Sequence, residues 1–82
     1  MANSNTDKRV VYHVVPDAST NRWVLSEENG DFRQEFDRKK DAEEHGKELA
    51  ERATVGQLKV RKRNGKMDYQ ITYNQHPVNS RS

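Results

Sequence analysis

The sequence predicts an α+β fold with the element order β-β-β-α-β-β, in which one helix packs across one face of an antiparallel β-sheet. Two Asn-Gly pairs, at positions 29–30 and 64–65, each separate segments of alternating polarity, the pattern typical of a β-hairpin. A β-branched segment precedes the first hairpin, and residues 38–53 between the hairpins show helical periodicity. A chain of 82 residues has room for one small domain.

The first strand is predicted from Arg9 to Val15, where β-branched and aromatic residues follow one another as R-V-V-Y-H-V-V. Pro16 should end it, because proline has no N–H to donate to the ladder. Both sides of this strand are largely apolar, which favours an interior position in the sheet. Val11 and Val15 would then form a modest apolar patch on the face that the helix leaves open.

The first hairpin is predicted to turn at Asn29-Gly30, with both residues at positive φ and Glu28 opposite Asp31. The strand residues then pair as Trp23 with Phe36, Leu25 with Gln34 and Glu27 with Phe32. This register collects the large apolar side chains on one face, whereas a shift of one residue would divide them between the two faces.

The helix is predicted to begin at Arg38, with Asp37 as its capping residue, and to end at Ala53. Its inner stripe at helical spacing consists of Ala42, His45, Gly46, Leu49, Ala50 and Ala53. Gly46 is expected to let the helix lie close to a bulky aromatic side chain of the sheet. Gly56 is expected to stop the helix.

The second hairpin is predicted around a two-residue turn at Asn64-Gly65, which places Arg63 opposite Lys66. Alternation then turns one set of side chains toward the helix: Leu58, Val60, Met67, Tyr69, Ile71 and Tyr73. The opposite set is polar and mostly charged: Lys59, Arg61, Arg63, Lys66, Asp68, Gln70 and Thr72. Five cations of this hairpin are called the basic cluster: Lys59, Arg61, Lys62, Arg63 and Lys66.

Several short motifs occur in a recognisable order: Y-H-V-V-P at 12–16, Trp23, F-D-x-K at 36–39 followed by Ala42, L-A at 49–50, and N-G-K followed by T-Y at 72–73. Their order and spacing over residues 10–73 resemble a family of small bacterial proteins catalogued as domain of unknown function 2188. The resemblance implies a small α+β domain and supplies no activity and no site residues. The helix start departs from the family pattern of a Thr cap and acidic first turn, because Arg38, Lys39 and Lys40 stand there.

The basic cluster is the first candidate site. Its side chains could lie along a phosphate backbone, with the hairpin in a groove or over a single strand of nucleic acid. The alternative is a solvated sheet face whose lysines prevent edge pairing. The net charge of +2 is too small to decide between the two interpretations.

The second candidate site is the start of the helix. Arg38, Lys39 and Lys40 stand beside backbone N–H groups without helical partners, and together they could bind an anion. The alternative is that Asp37 and Asp41 offset these charges and the lysines extend into solvent.

Histidine and aromatic residues are better explained by packing than by chemistry. His13 and His45 have no acidic or thiol partner nearby in the predicted fold, which makes a poor metal site, and His76 falls in the C-terminal tail. Trp23 and Tyr69 belong to apolar faces, so we expect core packing. The alternative is a stacking surface made of four aromatic residues: Trp23, Tyr12, Tyr69 and Tyr73.

Composition excludes several classes of function. Without cysteine the chain forms neither disulfides nor thiolate metal sites, and no apolar segment is long enough for a membrane helix. Because no nucleophile has a neighbouring base, we expect no enzyme activity and no cofactor, metal or small-molecule substrate. We expect a cytoplasmic, non-catalytic binding domain over residues 9–73, between disordered tails at 1–8 and 74–82.

Two functions remain open from the sequence. One is binding of nucleic acid through the basic cluster. The other, with no role for nucleic acid, is a protein–protein interaction or self-association as a homodimer, through the Val11/Val15 patch or an edge strand.

Overall fold

The computed structural model describes residues 9–74, which form five strands and one helix in the predicted order. The elements are β1 (Arg9–Asp17), β2 (Arg22–Glu27), β3 (Arg33–Phe36), α1 (Lys39–Arg52), β4 (Val55–Arg61) and β5 (Met67–Asn74). The predicted tails at 1–8 and 75–82 lie outside the described residues, but Asn74, assigned to the second tail, belongs to β5.

The sheet has the strand order β3-β2-β1-β4-β5, so β1 lies at its centre as predicted. The prediction of a purely antiparallel sheet is wrong, because β1 and β4 pair in parallel. β3 runs in the same direction as β1, since each is antiparallel to β2. The helix then returns the chain across the sheet, and β4 starts again in the original direction, as in other βαβ crossovers. The sheet is therefore mixed.

The register of the first hairpin is confirmed. Trp23 lies opposite Phe36, and the Glu27 N–H donates to the Phe32 carbonyl at 3.2 Å. The turn itself differs from the prediction. Of the Asn-Gly pair only Asn29 has positive φ, at 65°, and the N–H of Gly30 bonds back to the Glu27 carbonyl at 3.3 Å. Four residues, 28–31, therefore lie between the paired residues Glu27 and Phe32 that close the hairpin.

The core lies between α1 and the middle of the sheet. Its buried members are Val14, Trp23, Leu25, Ala42, Leu58 and Val60, with Tyr12, Phe32, Phe36, Leu49 and Tyr69 packed around them. A Cβ on Gly46 would lie 2.7 Å from Leu58 Cδ1 and 3.0 Å from Leu25 Cδ1. The expected close approach at Gly46 is thus confirmed, but the facing side chains are two leucines rather than an aromatic residue.

Both ends of α1 differ from the prediction. Arg38 precedes the helix in an extended conformation, without a side-chain capping hydrogen bond. Asp37 does not cap, because its carboxylate accepts from Arg22 Nε at 2.9 Å and Nη2 at 2.7 Å. Gly56 lies inside β4 rather than stopping the helix, and a Cβ there would be 1.9 Å from the Ala50 carbonyl oxygen. Glycine at this position lets the strand pass directly beneath the helix end.

The second hairpin keeps its predicted register at Val60–Tyr69 but changes register beyond that pair. Its loop has three residues, 63–65, and is closed by the backbone N–H of Lys62, which donates to the Lys66 carbonyl at 2.7 Å. Gly65 alone in this loop has positive φ, at 90°. Three-residue hairpin loops of this kind end on a residue with positive φ. The two-residue turn predicted from Asn64-Gly65 is therefore wrong.

The longer loop is accommodated by a β-bulge. Arg61 lies opposite Met67, so Asp68 is the extra residue of β5. Met67 joins the open face, and Lys66 and Asp68 leave it, which reverses the faces predicted for these three residues. Alternation did not reveal this bulge, because the extra loop residue and the extra residue Asp68 offset each other, so that residues 69–73 keep the faces predicted for a two-residue turn.

Candidate nucleic-acid interface

The basic cluster gathers at the exposed end of the second hairpin. Every residue from 62 to 68 is exposed. Lys59 lies on the open face, with His13 on one side and Gln70 on the other, and Arg61 follows it two residues later on the same face. Lys62 and Lys66 close the turn on the side opposite to Arg61. The cluster therefore lies on both sides of the hairpin end, whereas the predicted alternation placed Lys59, Arg61, Arg63 and Lys66 together on the open face.

No member of the basic cluster forms an ion pair with another residue of the described range 9–74. Asp68 is the one acidic residue in the second hairpin, and it is engaged elsewhere. Lys39 of α1 contacts Asp68 Oδ2 at 2.6 Å. The bulge turns Asp68 toward the helix, so this carboxylate, the one described in the second hairpin, does not neutralise the cluster.

Two arginines of the cluster are held in place by neutral partners. Arg61 Nη1 donates to the Gly65 carbonyl at 3.2 Å, which fixes its guanidinium against the turn. Arg63 Nη1 donates to Asn21 Oδ1 at 3.2 Å, and its guanidinium lies 5.2 Å from the ring centroid of Trp23. Arg63 thus connects the hairpin end to the loop before β2. The guanidinium of Arg61 has further N–H groups that can donate to a ligand.

The opposite side of the open face is electrically balanced. Arg22 and Arg33 there contact the carboxylates of Asp17, Glu35 and Asp37. Hydrogen bonds from the Ser19 hydroxyl and backbone N–H, together with the nearby Arg33 guanidinium, lower the pKa of Asp17. The positive field of the sheet is consequently concentrated on β4 and the loop that follows it.

The three cations at the helix start do not converge. Lys39 contacts Asp68 and lies 4.0 Å from Glu43, while its ammonium stands 5.4 Å from the Trp23 ring centroid. Arg38 is 3.9 Å from Asp41, and Lys40 is exposed. The anion site at Arg38, Lys39 and Lys40 stays a prediction, and the engagement of Lys39 argues against it.

The aromatic residues near the basic cluster belong to the core. Trp23 is 4% exposed and lies between the charged groups of Lys39 and Arg63. Tyr69 is half-buried against the core, and burial, together with the charge and hydrogen bond of Glu43, raises the pKa of Tyr69 to about 12. The side chain that sequence reasoning missed on the open face is Met67, 43% exposed beside Arg61.

Both described histidines have acidic neighbours, contrary to expectation. His13 Nε2 lies 2.8 Å from Glu28 Oε1, because Glu28 continues the path of β2 beside β1 and its N–H donates to the Val11 carbonyl. His45 Nδ1 is 3.8 Å from Glu48, and its ring lies 5.7 Å from that of Phe36. No group of three or more potential ligands in residues 9–74 could hold a metal ion. His76 lies outside the described residues.

Comparison with known proteins identifies one family that the chain matches. A model of the family described as an uncharacterized protein conserved in bacteria, domain of unknown function 2188, matches residues 12–73. That range runs from β1 through most of β5, which confirms the resemblance seen in the short motifs. No curated protein and no solved structure matches the chain. Within residues 9–74, no helix is long and apolar enough to span a membrane.

Proposed function

This chain belongs to the bacterial family of domain of unknown function 2188, and we propose that it binds duplex DNA through the end of its second hairpin. The observation that supports the proposal is that the basic cluster forms no ion pair with a carboxylate of residues 9–74. On β2 and β3 the arginines are paired with acidic side chains. A concentration of unpaired cations attracts a polyanion even when the net charge is near zero.

The closing pair of the turn adds a second reason. Lys62 and Lys66 lie directly opposite each other across the strands. Like charges in facing positions destabilise a hairpin, by about 0.2–1 kcal/mol. A phosphate placed between the two ammonium groups removes this repulsion. Their placement is unfavourable for the free fold and favourable for a complex with an anion.

The geometry favours a groove over a flat surface. A two-stranded β-ribbon fits the major groove of B-DNA, which is about 12 Å wide. Inside a groove both faces of the ribbon approach a phosphate backbone. Cations on both sides of the hairpin end suit that environment, with Arg61 toward one wall and Lys62 and Lys66 toward the other, and Lys59 on the adjoining sheet face.

Single-stranded nucleic acid is the less suitable ligand. Proteins that bind single strands without sequence preference stack the bases on exposed aromatic side chains. Among the described residues, Trp23 is buried and Tyr69 is held against the helix and Glu43. The hairpin end therefore offers charge without a stacking surface, which favours contact with the backbone of a duplex.

Charge reversal tests the proposal. The double variant Lys62→Glu/Lys66→Glu replaces one like-charged pair by another, so the repulsion across the turn stays similar. The matched control, Lys40→Glu/Lys47→Glu, makes the same change in net charge on α1. Fluorescence anisotropy with a labelled duplex should show at least a tenfold loss of affinity, about 1.4 kcal/mol, for the hairpin variant only.

The salt dependence provides an independent check of the same contacts. If Lys59, Arg61, Lys62 and Lys66 each neutralise one phosphate, log K should fall against log salt with a slope of about −3.6. The hairpin variant should halve that slope to about −1.8. Equal loss in both double variants would mean that only net charge matters, and unchanged affinity in the hairpin variant would reject the proposal.

A further inference from the structure

The two edges of the sheet are very different. β3 has four residues and carries Arg33 and Glu35, which are the short length and charge that normally protect an edge strand. β5 has eight residues, and its segment 69–73, Y-Q-I-T-Y, contains no charged residue, glycine or proline. This segment stands out in a chain of which 34% of residues are charged. Within residues 9–74, β5 has no partner on its outer side.

We infer that β5 pairs in antiparallel fashion with β5 of a second copy of this chain, about a two-fold axis at Ile71, to form a sheet that continues through the dimer. A two-fold antiparallel contact requires a strand that matches its own reverse, since residue i faces residue j and residue j faces residue i. The segment Y-Q-I-T-Y has that property: aromatic, polar, apolar, polar, aromatic in either direction.

The pairing follows from the axis at Ile71. On the helix side, Ile71 faces Ile71 of the second copy, and Tyr69 faces Tyr73. On the open side, Gln70 faces Thr72, a pair whose amide and hydroxyl can hydrogen-bond. Aromatic and polar pairs of this kind each stabilise facing strands by about 0.2–1 kcal/mol. Asp68, at the bulge, lies outside the five paired residues.

The side chains of this edge also gain burial in the dimer. Tyr69, Ile71 and Tyr73 are only half-buried in the single chain, because β5 has one neighbouring strand. A second β5 supplies the missing neighbour and extends the helix-covered layer. For a domain with a small core, such burial is a useful source of stability. The inference does not depend on DNA binding, since the basic cluster lies beyond the paired segment.

Sedimentation of the full chain tests the dimer. Two double variants change the same exposed positions: Gln70→Glu/Thr72→Glu and Gln70→Glu/Thr72→Lys. In the proposed register position 70 of each copy faces position 72 of the other. The first variant therefore places Glu opposite Glu at both contacts, and the second places Glu opposite Lys at both. We expect the first to weaken the dimer at least about tenfold and the second to keep it. A wild-type monomer at millimolar concentration, or equal behaviour of both variants, would overturn the inference.

Cysteine cross-linking tests the register directly, because the chain has no cysteine of its own. Ile71→Cys places two thiols in facing positions, where strand spacing allows a disulfide. Mild oxidation should link this variant into a covalent dimer of twice the 9.6 kDa chain. Gln70→Cys should not link to itself but should link when mixed with Thr72→Cys. Failure of Ile71→Cys to link, or efficient self-linking of Gln70→Cys, would contradict the proposed pairing.

Discussion

Trp23 shows how single contacts connect the core to the charged surface. Its ring is buried in the core, yet the ammonium of Lys39 and the guanidinium of Arg63 each lie within 5.4 Å of its centroid. Cations over an aromatic face are stabilised by its quadrupole. Trp23 therefore helps to hold the helix start and the second hairpin in position. Sequence reasoning assigned Trp23 to the core correctly but could not reveal the two cations, which come from distant parts of the chain.

Tyr69 should make the fold sensitive to alkaline pH. Its folded-state pKa of about 12 exceeds the ordinary value of 10.0, so the neutral hydroxyl is favoured in the native state. The corresponding stability is complete below pH 10 and is lost as pH rises through about 12, because the unfolded chain releases its proton first. Titration of tyrosinate absorbance should show one of the three tyrosines ionising last.

The variant Tyr69→Phe tests this assignment. It should remove the last tyrosinate transition and reduce the loss of stability between pH 10 and about 12. Tyr73→Phe, on the same strand face, is the matched control and should leave that transition in place. If the last transition persists in Tyr69→Phe, burial beside Glu43 is not its cause.

At the scale of elements, β4 passes close beneath the end of α1 at Gly56. A Cβ on Gly56 would overlap the Ala50 carbonyl, and backbone on both sides has little room to move. Gly56→Ala should therefore lower the free energy of unfolding by about 3 kcal/mol. Gly65→Ala, which meets open space but has a positive φ, should cost only about 1 kcal/mol.

Chemical denaturation of the two glycine variants measures this difference. Equal stabilities would mean that β4 does not pass beneath the helix end.

The prediction from sequence treated Gly56 as a helix stop, because glycine after a helical segment is usually a cap. Only the three-dimensional path of β4 distinguishes a cap from a close approach.

Most elements could be predicted from local patterns. Alternation gave the strands of both hairpins, and the spacing of small residues gave α1 to within a residue at each end. The capping role of Asp37 could not be predicted, because it depends on Arg22, which approaches from another strand. The bulge at Asp68 could not be predicted either, because residues 69–73 alternate just as they would after a two-residue turn without a bulge.

At the scale of the whole molecule, the parallel contact between β1 and β4 is the feature that local patterns leave undetermined. Hairpin signals specify neighbouring strands, whereas this pair joins residues more than forty positions apart. The same holds for the distribution of charge. The net charge of +2 does not show that the charges at β2 and β3 are balanced, whereas the cations of β4 and its following loop form no ion pair within residues 9–74.

The candidate site was consequently predicted in part. The sequence named five cations as a candidate site, and the structure places them along β4 and the loop that follows it, while their role in binding stays a prediction. The position of Lys66 beside Lys62, on the side opposite to Arg61, was not predicted, because it follows from the bulge and the longer loop. This placement is the reason for preferring a groove over a flat contact.

The most direct measurement of the central claim is a map of backbone amide chemical shifts during titration with a short DNA duplex, at low and at high salt. If the hairpin end binds phosphates, the largest shifts should fall in residues 59–66 at low salt and should diminish at high salt. The β2–β3 side of the sheet should remain unchanged. An absence of shifts at low salt, or shifts confined to β2 and β3, would contradict the account.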